Sequence, residues 1–303
     1  MEELYIWGIG LIKVIQRIEN PALTAAMKAL TSLGSEYAYL ALLPLVFWCV
    51  DERKGIRLGT VLLFSAWSNG ALKEFLAHPR PYDIDPGVGR AVEDSFGFPS
   101  GHAQGSLTFW GVLAAWIPKP WGIFLAIVLP LGISFTRLYL GVHFPTDIAA
   151  GLLLGGAILA FYYGAGPLIV RLLRAANIRV RILVVALAAF GMNALHPGDT
   201  GMGGVFFGMG IGYILMKERF PFAAAKNAAG DKPALWNLSL RYLLGIIVAG
   251  GVYGGLKLLM PGEGHQWYAL GRFGRYALLG FWVAAGAPWV FLQLRLAGKS
   301  SPL

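Results

Sequence analysis

Apolar residues dominate the chain in runs of 15 to 25, broken by short polar connections, and the runs are continuous instead of alternating with period two. That pattern predicts α-helices crossing a membrane and argues against a β-barrel. Residues 4 to 30 differ. Leu4, Ile6, Trp7, Ile9 and Ile12 are mixed there with Lys13, Gln16, Arg17 and Glu19, which predicts helices lying in the interface, with a break at Asn20-Pro21. Spans are expected at about 37–50, 56–76, 103–117, 121–136 and 145–163, then at 182–195, 202–216, 238–259 and 268–294. The expectation is thus an all-α polytopic membrane bundle of about nine transmembrane helices, with seven or eight if the short runs near 182–216 do not cross. Three parts are expected: interfacial helices over 1–35, a core of about five spans over 36–170, and an added helical domain over 171–303. Gly204, Gly208 and Gly212, and again Gly250 and Gly254, recur every four residues, a spacing that lets helices touch.

Composition agrees with the pattern: 56% of the 303 residues are hydrophobic and 14% charged. The net charge of +9 does not point to nucleic acid, because the basic residues sit in short loops without interleaved aromatics. Arg53, Lys54 and Arg57, then Lys119, Arg171 to Arg181, Lys217 to Lys232, and Arg295 with Lys299 mark one face, which the positive-inside rule makes cytoplasmic. Cys49 is the only cysteine, so neither an internal disulfide nor a cysteine metal site is available. Charges breaking the first apolar stretch argue against a cleaved secretion signal.

Against this background three polar clusters stand out between Lys73 and Asp147. A charge within or at the edge of a membrane costs about 2.5 to 3.5 kcal/mol on insertion scales, so its default reading is a functional site. Lys73, Arg80 and Arg137 are three fixed cations suited to a phosphate dianion. Ser100 and Gly101 are placed to open a helix whose free N–H groups favour an anion, with His102 inside its first turn. Phe144-Pro145 opens another helix, so His143 precedes a helix start and Asp147, four residues on, can hold one ring nitrogen while the other attacks. A second histidine, His102, suits protonation of a leaving alkoxide. His78, His196 and His265 have no such company and are read as structural. Glu74, Asp83, Asp85, Glu93 and Asp94 are read as a solvated, charge-balancing loop and not as a metal site, because their spacing matches no metal loop.

Lys73-x6-Arg80-Pro81, Pro99-Ser100-Gly101-His102 and Arg137-x5-His143-x3-Asp147 resemble, in order and spacing, the three-part signature of the type-2 phosphatidic acid phosphatase superfamily. The resemblance covers about residues 30 to 165 and departs from the common Ser-Arg start of the third part at Thr136-Arg137. It implies an integral membrane lipid phosphate phosphatase needing no metal or cofactor. His143 would become phosphorylated, His102 would act as general acid and Asp147 would orient His143, while Lys73, Arg80, Ser100, Gly101 and Arg137 hold the phosphate. Gly34-Ser35-Glu36-Tyr37 and Phe47-Trp48-Cys49-Val50-Asp51 resemble the sphingosine-phosphate phosphatase branch. The expected partners are a lipid phosphate and the bilayer, and no nucleic acid. The alternatives are a phosphotransferase using the same phosphohistidine, and a non-catalytic transporter or binder of phosphorylated solutes. The membrane hairpin over 103–136 returns the third cluster to the face of the second. Loop charges put that face outside: periplasm or exterior for a bacterial inner membrane, lumen in a eukaryote.

Overall fold

The computed structural model describes residues 2–300 and is mostly helical. Its helices are α1 (Glu2–Ile15), α2 (Pro21–Ser32), α3 (Glu36–Leu45, continued by a wider turn through Val50), α4 (Glu52–Leu76), α5 (Pro81–Ile84), α6 (Gly101–Ala114), α7 (Trp121–Tyr139), α8 (Pro145–Gly164), α9 (Gly166–Ala175), α10 (Ile178–Leu195), α11 (Thr200–Arg219), α12 (Leu235–Leu259) and α13 (Tyr268–Gln293). The all-α expectation holds apart from one antiparallel pair of two-residue strands, β1 (Phe222–Ala223) and β2 (Gly298–Lys299).

Among the described residues, five helices are long and apolar enough to cross a membrane: α7, α8, α10, α12 and α13. A sixth span results if α2 and α3, bent by 46° at their break, count as one. This falls short of the nine expected, for identifiable reasons. At 14 residues, α6 rises roughly 21 Å, against about 30 Å of hydrocarbon. Helix α4 carries charge at both ends, Arg53, Lys54 and Arg57 at one and Lys73 and Glu74 at the other. In α11, six glycines dilute the apolar run, and Lys217, Glu218 and Arg219 close it.

The chain packs as two compact units. One comprises the residues up to Leu40 with Phe64–Pro167, and the other comprises Ala41–Leu63 with the chain from Leu168 on.

In the first unit, α4 and α6 meet along a buried polar seam. Gln104 Nε2 donates to Ser65 O at 2.9 Å and to the hydroxyls of Ser65 and Ser68 at 3.2 Å. Its Oε1 accepts from Asn69 Nδ2 at 2.9 Å. Asn69 Nδ2 also donates to Pro99 O at 3.3 Å, and Thr108 reaches Ser65 Oγ at 3.2 Å. Helix α8 lies directly on the start of α6: a Cβ at Gly151 would stand 2.5 Å from Ser100 O, so no larger residue fits that crossing. Gln16, just past α1, donates to Val88 O and Tyr139 O, both at 2.8 Å. The expected interfacial helices are therefore part of this unit's packing.

In the second unit, Gly204 of α11 abuts the backbone of Phe273, and Gly208 that of Ala277. Gly250 and Gly254 of α12 face open space, so only the first of the two glycine repeats is a helix contact. Arg241 is fully buried and donates to Leu296 O (3.0 and 2.7 Å), Trp48 O (3.2 Å), Ala224 O (2.6 Å) and Lys226 O (2.8 Å). Lys217 is buried against Glu52 at 2.7 Å, and the same carboxylate accepts from Ala224 N at 3.1 Å.

Candidate active site

The last turn of α4 presents Lys73, and the chain then turns at Ala77, in the left-handed region at φ 48°, to reach Arg80 at the cap of α5. Asp83 closes this turn by accepting from Arg80 N at 2.7 Å. Arg80 is 2% exposed, and its guanidinium donates to Val142 O at 2.8 Å and lies 3.4 Å from His143 Nε2. His78 is packed among aromatics, edge-on to Tyr5 and 5.3 Å from the ring of Phe98, which is a structural placement.

Ser100 caps α6, its Oγ accepting from Ala103 N at 3.4 Å and its own N–H donating to Asp147 O at 3.0 Å. Gly101 passes close to Asn69, whose Oδ1 would stand 3.0 Å from a Cβ there. His102 follows in the first turn, beside Gly34 and within electrostatic reach of Arg137, Glu93, Lys73 and Arg80.

The third cluster is built by the end of α7 and the start of α8. Gly141 has φ +67° and packs against Val88 O, a conformation and a space that a side chain would not tolerate, and this turn delivers His143. Val142 N returns to Arg137 O at 3.2 Å. Asp147, in the first turn of α8, accepts from Phe144 N at 2.8 Å and holds His143 Nδ1 at 3.2 Å. Arginine can only donate. With Asp147 on one ring nitrogen and Arg80 on the other, the proton belongs on Nδ1 and the lone pair on Nε2. Burial, reinforced by Arg80, Arg137 and Lys73, pushes the His143 pKa well below the usual histidine range, which keeps that lone pair available. Thr136, where the signature commonly has serine, turns its hydroxyl back to Ile133 O at 2.5 Å and away from the cluster.

All eight residues singled out from the sequence thus meet in one unit. The acids of the 82–97 segment are corrected by the structure. Asp85 is paired with Lys13 at 2.7 Å near the surface, and Asp83 is a cap, but Glu93 forms an ion pair with Arg137 inside the cluster. Burial raises the Glu93 carboxyl, and Arg137, with His102 and Arg80, outweighs it, so the group lies below its usual range and is ionised at neutral pH. Arg137 also donates to Thr31 Oγ1 at 2.9 Å, and its Nε, buried, has no acceptor among the described residues. Ser95 and Phe96 add acceptors for Lys73 and Arg80. The sequence signal for Glu93 was its place in the connection between two cationic clusters. Among the described residues no three His, Cys, Asp or Glu side chains converge as a metal site.

A model of the PAP2 superfamily matches residues 54–171, and one described as the PAP2 superfamily phosphatase transmembrane extension matches residues 200–299. Lipid phosphate phosphatase delta of Arabidopsis thaliana is 30% identical over 175 residues, 52% of this chain and 42% of that protein. A probable sphingosine-1-phosphate phosphatase of Dictyostelium discoideum is 29% identical over 169 residues, 51% of this chain and again 42% of the relative. The chain thus spans well under half the length of these two. Phosphatidylglycerophosphatase B of Bacillus subtilis (strain 168) is 30% identical over 162 residues, 49% of this chain and 77% of that protein.

Proposed function

The chain belongs to the PAP2 superfamily, and on that premise we propose that it is an integral membrane phosphomonoesterase that dephosphorylates a lipid phosphate through a phosphohistidine, without a metal. The observation that carries this reading is His143, with Nδ1 3.2 Å from Asp147 and Nε2 turned to Arg80, an arrangement that leaves the Nε2 lone pair free. Lys73, Arg80, Arg137, the hydroxyl of Ser100 and the N–H of Gly101 hold the phosphate oxygens and take up charge in the transition state. His143 Nε2 forms a bond to phosphorus as the phosphorus–oxygen ester bond breaks, and the departing alkoxide takes the proton of His102. The bound dianion supplies the negative charge that a protonated His102 requires beside three cations. Water then gives a proton to His102, attacks phosphorus and releases inorganic phosphate as the nitrogen–phosphorus bond breaks.

The substrate we favour is a single- or double-chain lipid phosphate, because His143 lies between α7 and α8, two helices long and apolar enough to cross a membrane. The relatives are named as phosphatases, one of them probable, of such lipids. In this scheme residues 36–170 are the catalytic core, 1–35 interfacial helices and 171–303 an added membrane domain, and the site opens to the exterior, periplasm or lumen. The purified protein with EDTA and ³²P-labelled lipid phosphates should yield an acid-labile, alkali-stable phosphoprotein that His143→Ala cannot form. A label that persists in that variant, or preference for soluble sugar phosphates over every lipid tried, defeats the proposal. For orientation, with Cys49 removed, Asp85→Cys should react with an impermeant thiol reagent in intact cells and Arg174→Cys should not. The reverse pattern overturns the outward-facing site.

A further inference from the structure

The three cations of the cradle direct their donors at one short segment of the chain. Lys73 Nζ donates to Ser95 Oγ at 3.1 Å and to Phe96 O. Arg80 donates to Ser95 O at 2.6 Å, and to Ser95 Oγ and Phe96 O at 3.1 Å each. Arg137 Nη2 donates to the carboxylate of Glu93. Four oxygens of residues 93–96 therefore meet the groups that would meet a phosphate, and one of the four carries a full negative charge.

The pair is unequal in exposure: the Arg137 side chain is 2% exposed and that of Glu93 29%. The acid reaches inward from a partly open segment to a fixed cation. Arg137 Nε remains buried without an acceptor among the described residues, so a planar carboxylate on Nη2 leaves the fork of the guanidinium incompletely used. A phosphomonoester dianion brings more oxygens and a second charge to the same cations. A phosphodiester brings one charge, no more than Glu93 itself. Phosphodiester headgroups are also the bulk of any phospholipid surface, so an open cradle at the membrane edge would fill with them. A built-in competitor is the kind of repulsive element that specificity against an abundant wrong ligand needs.

Resting on the phosphatase reading above, we propose that Glu93 is a specificity-determining residue. Its carboxylate occupies Arg137 as an internal counter-ion that a phosphomonoester dianion displaces and a phosphodiester does not, and residues 93–96 give way as the dianion seats.

Inhibition constants for inorganic phosphate, orthovanadate and phosphatidylglycerol are compared in wild type and Glu93→Gln, in mixed micelles with p-nitrophenyl phosphate as reporter. Removing the charge should tighten phosphate and vanadate by roughly tenfold or more, the scale of one charge-assisted hydrogen bond. It should also make phosphatidylglycerol an inhibitor. If Glu93 only props Arg137 in place, phosphate binding weakens or stays unchanged and the proposal falls. A second measurement needs no variant. Amide hydrogen exchange in residues 93–97 of the wild type should speed up on adding orthovanadate, and unchanged or slower exchange overturns displacement. Wild type inactive on every phosphomonoester would count against the phosphatase reading, while the exchange response to inorganic phosphate would still decide the role of Glu93.

Discussion

Arg137 and Arg241 are both buried arginines, one in each unit, and they are wired in opposite ways. Each of the five guanidinium N–H groups of Arg241 has a backbone carbonyl to donate to, and it forms no ion pair among the described residues. Arg137 has one hydroxyl, one carboxylate on a partly open segment, and a nitrogen with no acceptor among the described residues. A guanidinium whose every donor meets fixed backbone is a clamp. One left incomplete in a buried cluster has donors to spare for an anion, as the proposed function requires of it. The two lysines repeat the contrast: Lys217 is locked to Glu52 at 2.7 Å, whereas Lys73 rests on Ser95 and Phe96, neutral acceptors that a phosphate can replace.

This difference can be broken by exchanging the two losses. Arg241→Met strands the carbonyls of Leu296, Trp48 and Ala224, while Lys226 O keeps the N–H of Gly298, and at about 1 to 3 kcal/mol for each unsatisfied group the unit should lose roughly 3 kcal/mol or more. Its melting temperature and yield should collapse whatever the remaining activity. Arg137→Gln should leave the melting temperature near that of wild type and lower kcat/KM by about 10²- to 10³-fold, as loss of one donor to a developing oxyanion does. If Arg137→Gln unfolds the protein, or Arg241→Met spares stability, the distinction between clamp and ligand site is lost. The smallest change sharpens the same point. Thr136→Ser keeps the hydroxyl that bonds Ile133 O, so activity should stay within about twofold while stability falls by about 0.8 kcal/mol for one buried methyl.

How much of this was legible in the sequence follows from the range of the interactions. The clusters around Arg80, Ser100 and His143 are local, fixed by a cap, a proline and a four-residue spacing, so their local geometry could be read directly. Their convergence followed from the return of one helical hairpin. Glu93 was misplaced in solvent because its partner Arg137 lies 44 positions away and nothing in the segment's own composition points inward. Five or six of the nine expected spans qualify by length and hydropathy, and α6, which buries Gln104, Ser106 and Thr108 against protein, and α4, charged at both ends, are not among them. The two glycine repeats look alike in sequence, and only the packing separates Gly208, against Ala277, from Gly250, against nothing.

The seam between α4 and α6 has a consequence for how the cradle meets its solvent. Gln104 uses both amide hydrogens and its oxygen across that contact, and Asn69 ties the carbonyl of Pro99 to the same helix that carries Lys73. Sliding one helix past the other by a single residue, about 1.5 Å, would break several of these bonds at once. In a purely apolar contact the same slip would cost little. The height of Ser100 relative to Lys73 is therefore keyed, like a ratchet tooth in its notch. Bilayers of different thickness can tilt this pair of helices together, but the distance between the two groups proposed to grip a phosphate stays the same.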